Sequence, residues 1–181
     1  RHEMEQTHQN GLFELTLNTP SDPIGHYQLV EINQNEQEFT FHDPYTFGPL
    51  LTEYDLYLHG EGRHWDIYEK LGAHVREIDG VKGVTFAVWA PNAKRMSVIG
   101  DFNNWDGRIH PMRLNGGIWE LFIPGLDYGE KYKYELKSHV RGYQAEKIDP
   151  YGYFAERRPS TASIVADIDS YEWGDAEWMS S

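Results

Sequence analysis

The chain runs to 181 residues, room for one well-buried domain or for one domain with part of another. Its 29 acidic against 16 basic side chains leave a net charge of −13, which repels a phosphate backbone and argues against nucleic acid and anionic membrane as partners. An aromatic content of 14%, with 17 Gly and 9 Pro set between short apolar runs, favours strands and turns over a helical bundle, so the expected class is all-β.

The first ten residues are polar and are expected to fray. Leu12-Phe13-Glu14-Leu15-Thr16-Leu17 follows with Phe13, Leu15 and Leu17 on one face at period two, the pattern of a strand. Tyr27-Gln28-Leu29-Val30-Glu31-Ile32 and Glu38-Phe39-Thr40-Phe41 are two more, separated by the turn-forming Asn33-Gln34-Asn35-Glu36. Three strands leave an apolar face and unpaired edges, so residues 1–50 are expected to be the C-terminal part of a first β-sandwich. Residues 51–75 read as a helical connector. Thr52-Glu53-Tyr54-Asp55 has the form of a capping box, and in the stretch from Asp66 to Gly72 an acidic N-cap, Ile67 and Leu71 at i,i+4 and a closing Gly mark a second helical turn. His59-Gly60-Glu61-Gly62-Arg63-His64 between them is expected to be a loop.

From Gly83 the strands recur at regular spacing, as in an immunoglobulin-like sandwich, here expected over residues 76–168. Val84, Phe86, Val88 and Ala90 alternate with Thr85, Ala87 and Trp89, so both faces are largely apolar and this strand should be central. Met96-Ser97-Val98-Ile99 is next, then an Asn-rich turn at 101–107, then Trp119-Glu120-Leu121-Phe122-Ile123 stopped by Pro124-Gly125. In Tyr132-Lys133-Tyr134-Glu135-Leu136-Lys137 the aromatic and apolar residues face in and the charges face out. Ser163-Ile164-Val165-Ala166 is the last expected strand, and the acidic tail 169–181 reads as a linker to something downstream.

The sequence selects no catalytic constellation. There is no cysteine, which removes thiolate catalysis and Cys-ligated metal and fits a cytoplasmic location. No apolar run approaches the ~20 residues of a membrane span. His59, His64 and His74 lack metal-ligand spacing, so no metal or cofactor is expected, and Gly60-x-Gly62 lacks the rest of a phosphate loop. No Gly-x-Ser-x-Gly occurs, and no pair of carboxylates stands out. The turn at 101–107 is more informative. Asp106-Gly107 is expected to supply a left-handed conformation, and Asn103-Asn104 to tie amides to the loop backbone, so that Trp105 either displays its ring or caps the sandwich. A displayed indole suits the apolar face of a sugar ring, with Asn104 and Lys133 available to hydroxyls.

Four motifs, Val88-Trp89-Ala90-Pro91-Asn92-Ala93, Val98-Ile99-Gly100-Asp101-Phe102-Asn103-Asn104-Trp105, Gly117-Ile118-Trp119-Glu120-Leu121-Phe122-Ile123-Pro124-Gly125 and Tyr132-Lys133-Tyr134-Glu135, together resemble carbohydrate-binding module family 48. The flanking Asp43-Pro44-Tyr45, Tyr68-Glu69-Lys70-Leu71-Gly72-Ala73-His74 and Asp149-Pro150-Tyr151 resemble bacterial-type 1,4-α-glucan branching enzymes more than debranching or trehalohydrolase relatives. The resemblance implies a non-catalytic N-terminal accessory region, a (β/α)-barrel elsewhere in the parent that carries the catalytic carboxylates, and α-1,4-glucan (glycogen, malto-oligosaccharides) and that barrel as partners. A related glycogen-binding domain, that of the AMP-activated kinase β-subunit, uses a Trp after Asn-Asn, a Lys on the Tyr-Lys strand, a second Trp before Asp-Pro and an Asn on the last strand. Trp105 and Lys133 match the first two; the other positions fall on Glu146 and Ser163, with Tyr143 as a substitute stacking residue.

Overall fold

A computed structural model describes residues 1–9, 11–17, 27–168, 170 and 173–180. Two antiparallel hairpins come first, β1 (Glu5–His8) with β2 (Leu12–Glu14) and β3 (Gln28–Ile32) with β4 (Glu38–His42). A strand therefore stands within the first ten residues, where fraying is expected from composition; a ladder needs backbone groups on both chains, and Glu5↔Glu14 and Gln6↔Phe13 pair without apolar side chains on β1. The strand expected through Leu17 stops at Glu14, leaving Leu15 beyond the ladder and exposed. Phe13, Ile32, Phe39 and Phe41 are exposed as well, and Arg1, before β1, makes an exposed ion pair of 2.9 Å with Glu38 on β4.

In the connector, Asp43 caps a 3-10 turn over Pro44–Thr46 by accepting from the Tyr45 N–H, and the turn delivers Phe47 edge-on against Phe122 at 4.7 Å. The capping box is present. Thr52 accepts from Asp55 N, Asp55 accepts from Thr52 N, and α1 (Glu53–Gly60) follows. The helix runs on through His59 and Gly60, which composition placed in a loop; Leu56 packed inward outweighs the weak helix propensity of one terminal glycine. The second turn is a 3-10 helix over Ile67–Glu69, and Asp66 makes no side-chain cap to it.

Gly72 does not close that turn. It opens β5 (Gly72–Ile78), which pairs with β6 (Val81–Trp89). The order in this sheet is β5-β6-β9-β8, with β9 (Ile118–Pro124) and β8 (Arg113–Asn115), so β6 is central as its apolar faces require. In the second sheet β10 (Lys131–Ser138) lies between β7 (Ala93–Gly100) on one side and, on the other, β11 (Gln144–Lys147) and β13 (Ser163–Ile164), with β12 (Phe154–Ala155) outermost. Every pairing is antiparallel. Val84, Phe86, Val88, Leu121 and Ile123 from one sheet meet Met96, Val98, Tyr132 and Tyr134 from the other, and this is the core of an all-β immunoglobulin-like sandwich.

The outer face of the β5-β6-β9-β8 sheet is covered too. Ala87 and Ile118 pack there against Leu51 and Leu71 of the connector. Glu120 is buried on the same face with both carboxylate oxygens satisfied, one by Leu51 N at 3.0 Å and the other by the Asn115 amide at 3.1 Å. Of the linker expected over 169–181, residues 169, 171, 172 and 181 lie outside the described residues; the rest holds one short helix, α2 (Ala176–Met179).

Candidate functional site

The turn that follows β7 is built around Asn103. Its side-chain oxygen accepts from Gly100 N at 2.9 Å, and its amide donates to Val98 O at 3.0 Å. The same amide nitrogen lies 2.9 Å from His110 Nδ1, an arrangement that needs this ring nitrogen unprotonated, and burial pulls the His110 pKa down. Asn103 is thus a buried clamp, and Asn104 is the exposed amide. The left-handed residues are Asn104 (φ 53°) and Trp105 (φ 59°), not Asp106-Gly107. Gly107 has a different reason to lack a side chain: a Cβ there would meet the Glu135 carboxylate, and Arg95 donates to the Gly107 carbonyl. Arg108 donates from its guanidinium and its backbone N–H to Asp106, holding that carboxyl down at about 2.

This frame sets Trp105 half-buried beside the outer face of β10. Its indole N–H donates to Asp101 Oδ1 at 2.9 Å, and the Lys133 ammonium stands 5.9 Å from the ring centroid. Lys133 is reached because it alternates with the buried Tyr132 and Tyr134 and so points outward. Glu146 on β11 approaches the same ammonium at 3.6 Å with its own side chain 54% exposed, so this ion pair holds Lys133 loosely. A flat ring, an ammonium and a carboxylate side by side can stack the C–H surface of a sugar and bond its hydroxyls. Among the described residues no cluster of three or more His, Asp or Glu could hold a metal ion.

Residues 70–152 match the profile of carbohydrate-binding module 48, described as the isoamylase N-terminal domain. Along 97% of its length the chain is 56% identical to the 1,4-alpha-glucan branching enzyme GlgB of Trichodesmium erythraeum, and 55% and 49% identical to those of Thermosynechococcus vestitus and Methylococcus capsulatus. Residues 70–152 are a family 48 module, and along nearly its whole length the chain is similar to part of these branching enzymes. It spans 22–24% of the length of these relatives. A pullulanase from Bacillus acidopullulyticus superimposes on 61% of this chain and 13% of its own at 20% identity with a TM-score of 0.45, too loosely to carry an argument.

Within the family 48 module, Lys133 on β10 stands over the Trp105 ring, Asn104 is exposed next to Trp105 in the turn, and Glu146 reaches Lys133 through the β10–β11 pairing. Tyr143 stands apart. It precedes β11 in the turn, bonded through its backbone to Ser138 and Val140, and the register Lys137↔Gln144 places it opposite Ser138, five positions along from Lys133. Ser163 is fully buried, its hydroxyl accepting from Asp149 N at 3.1 Å. Asp149 accepts in turn from Tyr132 and Tyr134 at 2.7 and 3.1 Å, and burial pushes its carboxyl pKa up. This position therefore works in the core. The role of Glu146 beside Lys133 is missed by composition and periodicity; it follows from hairpin register, which a sequence of Gln144-Ala145-Glu146-Lys147 does not announce.

Proposed function

We propose that this chain is the N-terminal accessory region of a 1,4-α-glucan branching enzyme, and that its module holds an α-1,4-glucan chain at Trp105, Lys133 and Asn104 while the enzyme's barrel forms α-1,6 branches. The observation that supports this most directly is the Trp105–Lys133 pair presented on a braced turn of a carbohydrate-binding module. One aromatic platform on an open face must offset the cost of ordering a flexible glucan, so affinity on the order of millimolar is expected. Titration with maltoheptaose, followed by tryptophan fluorescence, should saturate in that range, and Trp105→Ala should weaken binding at least tenfold. A non-saturating titration, or an unchanged one in Trp105→Ala, removes the reading.

A second reading, the module as a scaffold against the barrel, is favoured by the exposed Phe13, Ile32, Phe39 and Phe41. It expects the chain to bind a separately produced barrel whether or not Trp105 is present.

A further inference from the structure

Three exposed aromatic rings gather at a place none of the module's motifs touch. Tyr54 and Tyr57 lie one turn apart on α1 and share its solvent side, 68% and 61% exposed. Trp65, from the loop after the helix, is 83% exposed. An indole so open to water is unusual, since large aromatic side chains are mostly buried in part. These rings line a cleft of about 650 Å³ together with Arg63, Asp66 and Glu69. Its floor is fixed. The Asp55 carboxylate, already tied to Thr52, bonds His64 Nε2 at 3.0 Å and lies 3.9 Å from Lys70 Nζ.

Tyr, Trp and Arg suit a protein interface as well as a sugar site, but Asp55, Asp66, Glu69 and Lys70 line the same cleft, and such charges are depleted at the desolvated centre of a protein interface. A sugar chain needs the opposite, a ring face for each hexose and charged or polar groups for its hydroxyls, within a cleft of several hundred Å³. Neither Tyr54, Tyr57 nor Trp65 falls within residues 70–152 matched by the module. We infer that this cleft is a second α-1,4-glucan contact, separate from the Trp105 face, so that one chain is held at two points. The choice of an α-glucan rests on the function proposed above; the existence of a sugar cleft rests on the rings and charges of the connector.

Two weak contacts on one polymer add through effective concentration rather than through new bonds. The 181-residue chain labelled with 5-fluorotryptophan gives each indole its own fluorine line, assigned by single Trp→Phe variants. With maltoheptaose the Trp65 line should shift saturably, keep shifting in Trp105→Ala, and respond at least threefold more weakly in Tyr57→Ala. Tyr57 is exposed, so that variant is expected to melt like the parent; if it does not, Arg63→Ala, also on the cleft rim, is measured for the same threefold loss. A Trp105 line that shifts while Trp65 stays fixed overturns the second contact and leaves the first intact. Two fixed lines overturn both.

Discussion

Gly100 and Gly107 flank the tryptophan turn, and their missing side chains matter to different degrees. Gly100 has an extended backbone, but a Cβ on it would run into the Lys131 carbonyl oxygen and the Phe102 ring, neither of which can move without disturbing β10 or the core. At Gly107 the obstacle is the tip of the Glu135 side chain, which can swing aside. Gly100→Ala should therefore cost about 3 kcal/mol or more and Gly107→Ala about 1 kcal/mol or less, compared by urea unfolding. Trp105 poses the reverse case, a large side chain on a left-handed backbone at φ 59°. Trp105→Gly should be more stable than Trp105→Ala by about 1 kcal/mol, because both lose the indole and only glycine relieves the backbone. The sequence shows that residues 101–107 form a turn, yet it points to Asp106-Gly107 for the left-handed step, because nothing local predicts a tryptophan there. Asn103 clamping the backbone, by contrast, is legible, since Asn is favoured where side chains bond their own turn.

The connector shows what an element adds to its residues. Burial alone would raise the Asp55 pKa, but hydrogen bonds from Thr52 and His64 and the nearby Lys70 outweigh it and hold the carboxyl at about 2. A carboxyl whose folded pKa lies below its unfolded value stabilises the fold above the unfolded value, near 4, and loses that contribution as pH falls toward 2. Asp55→Asn should therefore be less stable than the parent at pH 6 by about 2 kcal/mol, a gap that closes as the pH of thermal melts is lowered to 2. The capping box that begins this helix is plain in Thr52-Glu53-Tyr54-Asp55, because cap chemistry is local. The strand β5 is not plain, since His74, Arg76 and Glu77 interrupt any alternation and Gly72 resembles a helix stop; pairing with β6 decides it. The candidate site divides the same way. Trp105 and Lys133 are visible as motif residues, while Glu146 reaches Lys133 only through strand register, and Tyr143 lies in the turn before β11.

At the scale of the molecule, the sandwich is legible because period-two strands with turns between them leave few alternatives. The N-terminal strands are legible as too few to close a sheet, and the side chains of β1–β4 are almost all exposed. Amides of these two hairpins should exchange with solvent through local opening, orders of magnitude faster than those of β6, β9 and β10, as measured by native-state hydrogen exchange. β10 has one further property. Tyr132 and Tyr134 anchor it in the core, Lys133 between them points outward over Trp105, and β7, β11 and β13 all pair with it. If the module binds glucan as proposed, recognition and folding share one piece of backbone, and by mass action a glucan at ten times its Kd should raise stability by about 1.4 kcal/mol. That gain would register as slower exchange in the most protected amides of the chain, making a surface-bound sugar readable from inside the protein.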